Sequence, residues 1–278
     1  MTKTLQQQPA SSDTTNTPTD PNNATTPTPE ELLRSADTFL WFDLDDTLWD
    51  MSGNSDIALD IIHTTTDTVA AAFPGADGAR RWRDVYHRYN TALWERYSAG
   101  TIDRATLRLE RFALPLQHVG MDRADAVAAS RQLDGLYLHH LGNCSGCLPG
   151  ARELALLLKR RGRHMGIVSN GFREVQYRKL ASGGLNGLFD PIVLSDDTGV
   201  NKPAPAFFSA ALAAAGTDAA HSLIIGDNPD TDIAGALAAG WAAAVWVTPP
   251  ETPVPPALAP YAPRIVRVAS PADIIPML

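Results

Sequence analysis

Cysteine is nearly missing from this chain: Cys144 and Cys147 are the two in 278 residues. They form a lone Cys-x-x-Cys pair. A structural zinc site takes four ligands, and the nearby His139 and His140 do not supply a second pair at a usable spacing. The two thiols therefore read as ordinary reduced cysteines of an intracellular protein. Positive charge is also scarce, with 23 Lys and Arg against 31 Asp and Glu, a net charge of −8 and a pI near 5.3. Without a basic face nothing neutralises a phosphate polymer or an anionic bilayer, which argues against nucleic-acid and membrane partners. A small phosphorylated molecule needs only local positive charge. No apolar run approaches the roughly 20 residues of a membrane span. Residues 1–30 are rich in Thr, Pro, Gln, Asn and Ser and poor in large apolar side chains, so they are expected to form a disordered tail. They also lack the apolar core of a secretory signal, which makes the cytoplasm the expected location. His63, His87 and His118 have no partner spacing, and no internal repeat is present.

What is present is an apolar segment, Thr38-Phe39-Leu40-Trp41, that runs into Phe42-Asp43-Leu44-Asp45-Asp46-Thr47. An apolar strand ending in two carboxylates places them at the carboxyl edge of a sheet, where open α/β folds bind ligands. The pleat alone points Asp43 and Asp45 to opposite faces, so the chain must turn after Asp43 if both are to serve one site. Two like charges buried together are costly without a cation. A hard divalent ion such as Mg²⁺, bound by a few carboxylates and substrate phosphate oxygens, resolves that cost and points to phosphoryl chemistry. Taken alone the run could equally be a polar turn or a weak calcium loop.

Its company argues otherwise. Met165–Val168 is an apolar run ending in Ser169-Asn170-Gly171. Val200-Asn201-Lys202-Pro203 leads into an alanine-rich helical stretch. Ser222–Ile225 ends in Gly226-Asp227-Asn228-Pro229-Asp230-Thr231-Asp232. Further strands are expected near 191–194, 243–247 and 264–268, separated by helices, the pattern of a parallel sheet. Pro203 suits the first turn of a helix. The stretch between Asp43 and Ser169 is about 90 residues longer than a simple βαβ crossover of roughly 30 requires. The surplus looks helical: Trp82, Val85, Tyr86, Tyr89, Leu93 and Tyr97, then Leu133, Leu136, Tyr137 and His140, recur mostly at i, i+3, i+4. Breaks at Phe73-Pro74-Gly75, Ala99-Gly100 and Val119-Gly120 divide it into four expected helices.

In this order the motifs Asp43-Leu44-Asp45-Asp46-Thr47, Ser169, Lys202 and Gly226-Asp227 with Asp232 resemble those of the haloacid dehalogenase (HAD) superfamily, over roughly residues 38–275. The resemblance implies an α/β Rossmann-like core of residues 31–50 and 148–278, with an α-helical bundle cap, residues 51–147, inserted after the first strand and closing over the site. It implies Asp43 as nucleophile and Asp45 as general acid/base, with Ser169 and Lys202 holding the transferring phosphoryl group. Mg²⁺ would sit on Asp43, Asp227 and the main-chain carbonyl of Asp45, with Asp232 and Asn228 around it. An aspartate at 45 favours phosphate esters, since dehalogenases and phosphonatases of the family have no carboxylate there.

Three local features look like the pyrimidine 5′-nucleotidase branch: Thr47-Leu48-Trp49-Asp50 with Asn54-Ser55, Leu93–Ile102 with Arg108 and Phe112, and Ser169-Asn170-Gly171-Phe172. The expected substrate is then a small phosphorylated molecule, a nucleoside 5′-monophosphate, with Thr47, Trp49, Asn54, Trp94, Tyr97, Asn170 and Gly171 as candidate contacts. Trp49, Trp94 and Tyr97 offer ring faces for a base or pack as core. Asn54 reaches the sugar or base or caps a helix, where Ser55 competes. Asn170 contacts phosphate or orders its loop. Asp46 reads as structural and Asp196-Asp197 as a solvated turn, unless either sits near the metal. The assembly is expected to be a monomer or homodimer. Rival readings are a phosphoglycolate or sugar-phosphate phosphatase, a phosphomutase, and a binding protein on a dead HAD scaffold.

Overall fold

The computed structural model describes Met1 and residues 27–278; the expectation of disorder for residues 2–26 lies outside the described residues. The chain enters the fold earlier than composition indicates. Helix α1 spans Pro29–Arg34, so a tail drawn to residue 30 overlaps it. Thr28 Oγ1 accepts from Glu31 N while the Glu31 carboxylate accepts from Thr28 N, a reciprocal cap that fixes the start. Leu32 and Leu33 then bury against the core.

Six parallel strands form one sheet: β1 Phe39–Phe42, β2 Met165–Ser169, β3 Ile192–Leu194, β4 Ser222–Gly226, β5 Ala243–Val247 and β6 Ile265–Val268. Their order is β3-β2-β1-β4-β5-β6, so the winding reverses direction at β1. The crevice beside such a reversal lies at the strands' carboxyl ends. β1, β2, β4 and β5 are buried along their whole length, as befits strands covered on both faces. On β1 the pleat sends Phe39 and Trp41 to one layer, with Phe207, Phe208, Ile224 and Trp241. Leu40 and Phe42 go to the other, with Ile167, Leu223 and Val245. Each such side chain contributes about 1.5–3 kcal/mol on burial. Core helices α7 Ala151–Arg160, α8 Arg173–Ser182, α9 Ser195–Thr198, α10 Pro205–Ala215 and α11 Gly235–Ala238 flank the sheet. Pro205, not Pro203, takes the first position of α10, because Pro203 still belongs to the loop that carries Lys202.

Between β1 and β2 lie α2 Met51–Thr65, α3 Asp67–Ala72, α4 Gly78–Ser98, α5 Arg104–His118 and α6 Arg123–Asn143. The breaks at 73–75, 99–100 and 119–120 fall between helices as expected. A further one, at Thr66, splits the first segment. Thr64 and Thr65 turn their hydroxyls back onto the carbonyls of Asp60 and Ile61, and Thr66 is extended (φ −122°, ψ 108°). Consecutive β-branched residues bonding to their own helix weaken its continuation. The inserted helices share one buried cluster, including Leu59, Trp82, Tyr86, Phe112 and Tyr137, that runs on into one face of the sheet. No helix among the described residues is long and apolar enough to cross a membrane.

Candidate active site

The required turn after Asp43 is present. Leu48 N and Trp49 N both donate to Leu44 O, and Asp46 N donates to Trp49 O, so the chain coils tightly at the end of β1. Asp46 absorbs the bend with φ 54°, a left-handed conformation that Asp tolerates better than most residues. Its carboxylate accepts from Ser52 N (2.9 Å) and Ser52 Oγ (2.8 Å), a structural use. Asp43 N donates to Ile225 O, pinning the start of the turn to β4.

Lys202 is the electrostatic centre of the floor. Its Nζ donates to Asp43 Oδ1 (2.6 Å), Asp232 Oδ1 (2.6 Å) and Val168 O (2.9 Å). All three ammonium protons are thus used within the protein, so Lys202 faces an incoming anion chiefly as a fixed charge. Burial opposes that charge, but Asp232 and Asp43 outweigh it and raise its pKa. Asp43 is pushed up to about 8, by burial first and by Asp232 and Asp45 besides, with Lys202 opposing. Asp227 is raised well above the ordinary carboxylate range, again by burial and then by Asp232 and Asp43. Carboxylate oxygens of Asp43, Asp227 and Asp232 lie within 4.8 Å of one another. Three close carboxylates sharing one ammonium are short of positive charge, and an all-oxygen donor set of this kind suits a hard divalent cation. Asp232 is already engaged, by Lys202 at Oδ1 and by Asn228 N at Oδ2 (3.1 Å), which leaves Asp43 and Asp227 as the freer ligands. Gly226 permits this crowding: a Cβ there would stand 2.7 Å from the Asp232 side chain.

Ser169 closes β2. Its Oγ accepts from Gln176 Nε2 (2.8 Å) and Gly171 N (3.1 Å), so its own proton remains to be donated into the cavity. Gly171 has no room for a side chain, since a Cβ would meet Gln176 at 2.3 Å. Asn170 orders its loop: its Nδ2 donates to Lys202 O (3.0 Å) and its Oδ1 accepts from Lys202 N (2.7 Å). Asn228 caps the following π-type turn, its Oδ1 accepting from Asp230 N and Thr231 N.

Two functional candidates escaped the sequence reading. Lys179 Nζ donates to Asp45 Oδ1 (2.6 Å), and Gln176 Nε2 to Asp45 Oδ2 (3.1 Å). Both come from α8 and are buried. Together they hold each oxygen of the carboxylate expected to do the acid–base work, and Gln176 also joins it to Ser169. The available signal was positional: polar residues stand at the core-facing positions 176 and 179 of a helix whose neighbours Val175 and Leu180 are also buried.

Four expected substrate contacts, Trp49, Thr47, Asn54 and Tyr97, lie off the cavity wall. Trp49 is fully buried, its ring 5.0 Å from Lys179 Nζ and paired in a short antiparallel bridge with Cys147. A ring sealed in the connection between core and inserted helices has no free face for a base. Thr47 is also buried, and its Oγ1 donates to Asp227 Oδ1 (3.2 Å). Asn54 Nδ2 donates to Gly146 O (2.9 Å) and Oδ1 accepts from Gly146 N (3.2 Å), tying the start of α2 to the returning segment of the connection. Asp50, not Asn54 or Ser55, caps α2. Tyr97 packs edge-on against Trp94 and Phe172 and is not on the cavity wall. Asp196 and Asp197 are occupied by Arg104 and Arg173.

One cavity of about 720 Å³ unites the floor with the inserted helices; Asp43, Asp45, Ser169, Lys202 and Asp227 face Trp94, Arg111, Tyr137 and Leu141 across it. Above the Ser169 loop the two halves touch. Arg104 pairs with Glu174 and with Asp196 (3.3 Å), its guanidinium 4.1 Å over the Phe172 ring. Asn201 Nδ2 donates to Tyr97 O (3.1 Å).

Residues 40–240 match the family model described as haloacid dehalogenase-like hydrolase. The pyrimidine 5′-nucleotidase YjjG of Escherichia coli (strain K12) is 28% identical over 226 residues, 80% of this chain and 91% of that protein. The pyrimidine 5′-nucleotidase PynA of Streptococcus pneumoniae is 29% identical over 212 residues, 76% of this chain and 84% of that one. Among solved structures, the HAD-hydrolase YfnB of Bacillus subtilis, crystallised with magnesium, aligns with a TM-score of 0.72 and 26% identity, covering 87% of this chain and 98% of that one.

Proposed function

The chain belongs to the haloacid dehalogenase-like hydrolases, and from that premise we propose that it is a magnesium-dependent phosphomonoesterase that hydrolyses nucleoside 5′-monophosphates, pyrimidine ones foremost. The observation that carries the chemistry is the convergence of Asp43, Asp227, Lys202 and Ser169 on one cavity. Asp43 Oδ1 is held by Lys202, and its Oδ2 has no hydrogen bond among the described residues, leaving it as the attacking atom. As the Asp43–phosphorus bond forms, the ester P–O bond breaks, and Asp45 passes a proton to the departing oxygen. A water then attacks phosphorus and gives its proton to Asp45, freeing Asp43 and inorganic phosphate. The Ser169 hydroxyl and the Lys202 charge stabilise the equatorial oxygens. Asp43, Asp227 and the main-chain carbonyl of Asp45 would hold Mg²⁺, which when bound supplies neutralisation of phosphoryl charge. Lys179 and Gln176 keep Asp45 directed at the leaving oxygen.

The nucleotide is supported by the cavity and by the relatives. A volume of about 720 Å³ walled by Met51, Trp94, Leu138, Leu141, Phe172 and Val175 accommodates a flat apolar-faced group as well as a phosphate, far more than phosphoglycolate fills. Two relatives that align over three quarters or more of the chain are pyrimidine 5′-nucleotidases. A nucleotide pool as substrate source keeps the cytoplasm as the proposed setting. The test is phosphate release with Mg²⁺ over nucleoside monophosphates, sugar phosphates and phosphoglycolate. Turnover of dUMP or dTMP well below that of phosphoglycolate reverses the substrate assignment. Asp43→Asn should lower turnover of every ester by about 10⁴-fold or more with the circular dichroism unchanged; retained activity overturns the mechanism.

A further inference from the structure

Opposite the catalytic floor, the inserted helices bury an unbalanced charge cluster. Asp134 on α6 accepts from Arg108 at Oδ2, through Nε (2.8 Å) and Nη2 (2.6 Å). It also accepts from Arg111 at Oδ1, through Nε (3.1 Å) and Nη2. Two guanidinium groups thus share one carboxylate, and the flanking phenols of Tyr86 and Tyr137, raised by burial, stay neutral. Arg108 reaches solvent, its side chain a third exposed, whereas that of Arg111 is 4% exposed. A surplus buried charge is expensive unless something compensates it.

The compensation found within the protein is partial. Arg111 lies 4.9 Å from the Tyr137 ring centroid and 5.4 Å from that of Phe112, contacts that favour a cation modestly. Tyr137 is in turn fixed by Ser55 Oγ (2.9 Å), so the platform is rigid. Arg111 Nη1 has no hydrogen-bond partner among the described residues, and Arg111 is on the wall of the cavity that holds Asp43. A nine-tenths buried cation with an unused donor edge, fixed by a carboxylate and two rings, is a site built for an acceptor.

We propose that Arg111 reads the base of the substrate, donating from its free edge to a carbonyl oxygen of a pyrimidine. This rests on the nucleotidase reading and deepens it. The phosphate is accounted for at the floor, the apolar walls take the faces of the ring, and Arg111 supplies what those walls lack, a directional donor to the ring edge. A pyrimidine presents O2, and uracil and thymine also O4, as such acceptors. A phosphate ester without a base offers Arg111 no ring carbonyl oxygen of this kind.

The test compares wild type, Arg111→Met and Arg111→Lys on dUMP, ribose 5-phosphate and the 2-thio and 4-thio analogues of dUMP. A hydrogen bond to a charged donor corresponds to a factor of about ten to a hundred. Arg111→Met should therefore lose that much kcat/KM on dUMP, mainly through KM, and at most about threefold on ribose 5-phosphate, with Arg111→Lys between. Wild type should discriminate against one thio analogue and Arg111→Met should not. Equal losses on dUMP and ribose 5-phosphate, or a thio penalty that survives in Arg111→Met, overturn the inference alone. A wild type that prefers ribose 5-phosphate overturns it together with the nucleotidase reading.

Discussion

The floor and the roof of the cavity are built by different means. On the floor, Asp43, Ser169 and Asp227 occupy or directly follow the ends of adjacent parallel strands, so backbone pairing sets their spacing, as in the Asp43 N to Ile225 O bond. On the roof, Trp94, Arg111 and Tyr137 come from three helices whose relative rotation is set by side-chain packing. Charge is arranged differently too. The floor crowds carboxylates around Lys202, whereas the roof crowds guanidinium groups around Asp134. One cavity thus carries carboxylates on the wall made by the sheet and a guanidinium on the wall made by the inserted helices.

The comparison can be broken hardest at the lysines. Lys202→Met leaves Asp43 and Asp232 without their shared cation, and losing one member of a buried charge cluster costs about 3–5 kcal/mol. For a chain of this size that is a fall in Tm on the order of 10 °C, together with loss of turnover. Lys179→Met should be milder in stability, about 1–3 kcal/mol, because the Asp45 side chain is 30% exposed and water can replace the lost donor. Its signature is kinetic: kcat falls by about a hundredfold as Asp45 drifts from its aim, while KM holds. Thermal melts and steady-state kinetics on the two variants separate the cases. Equal effects on both would mean that Lys179 belongs to the metal-binding cluster after all.

The same difference in construction decided what could be read from the sequence. Strand-end motifs located Asp43, Asp45, Ser169 and Asp227, because a sheet converts linear position directly into place, whereas Lys202, in the loop between α9 and α10, was marked by the resemblance to the family's motif order. Lys179 and Gln176 sit only 10 and 7 residues beyond Ser169, yet no motif marks them; it is their burial on α8 that gives them meaning. On α5 the nucleotidase-like block includes Arg108, which reaches solvent, and not Arg111 three residues later, because helical spacing does not say which of two arginines faces the cavity. Trp49 and Asn54 were misplaced for the opposite reason. Closeness to the catalytic turn in sequence put them near the substrate, but the chain leaves the site there to enter the inserted helices.

A magnesium and pH titration sharpens the floor's side of the contrast. Asp43 is raised to about 8 and Asp227 is raised as well, so between pH 4 and 8 the metal-free folded chain binds more protons than the unfolded one. Stability from these groups is therefore fully present at low pH and is lost as pH rises through the folded pKa. Mg²⁺ needs the deprotonated carboxylates, so its stabilisation should grow over the same window, reaching about 2.7 kcal/mol at a hundredfold excess over Kd. Melts with and without Mg²⁺ near pH 5.5 and pH 8 should diverge as pH rises. A gap independent of pH would show that Asp43 and Asp227 are ionised without the metal.

The smallest effect tests the seam between the two regions. Arg104 joins α5 to Glu174, Asp196 and the face of Phe172, and so binds roof to floor while stabilising neither internally. Exposed ion pairs contribute about 0.2–1 kcal/mol and an exposed cation–π contact about 0.5–1 kcal/mol, so Arg104→Ala removes about 1–2 kcal/mol from closure. Because these contacts are exposed and the inserted helices and the sheet are held by one shared buried cluster, the melting curve should scarcely move. The loss should emerge as a KM raised about five- to tenfold at low ionic strength, as the open state competes with binding. Since salt already weakens the wild-type pairs, added salt should narrow the gap between variant and wild type. A Tm drop with KM unchanged would mean that the seam is core rather than a closing edge.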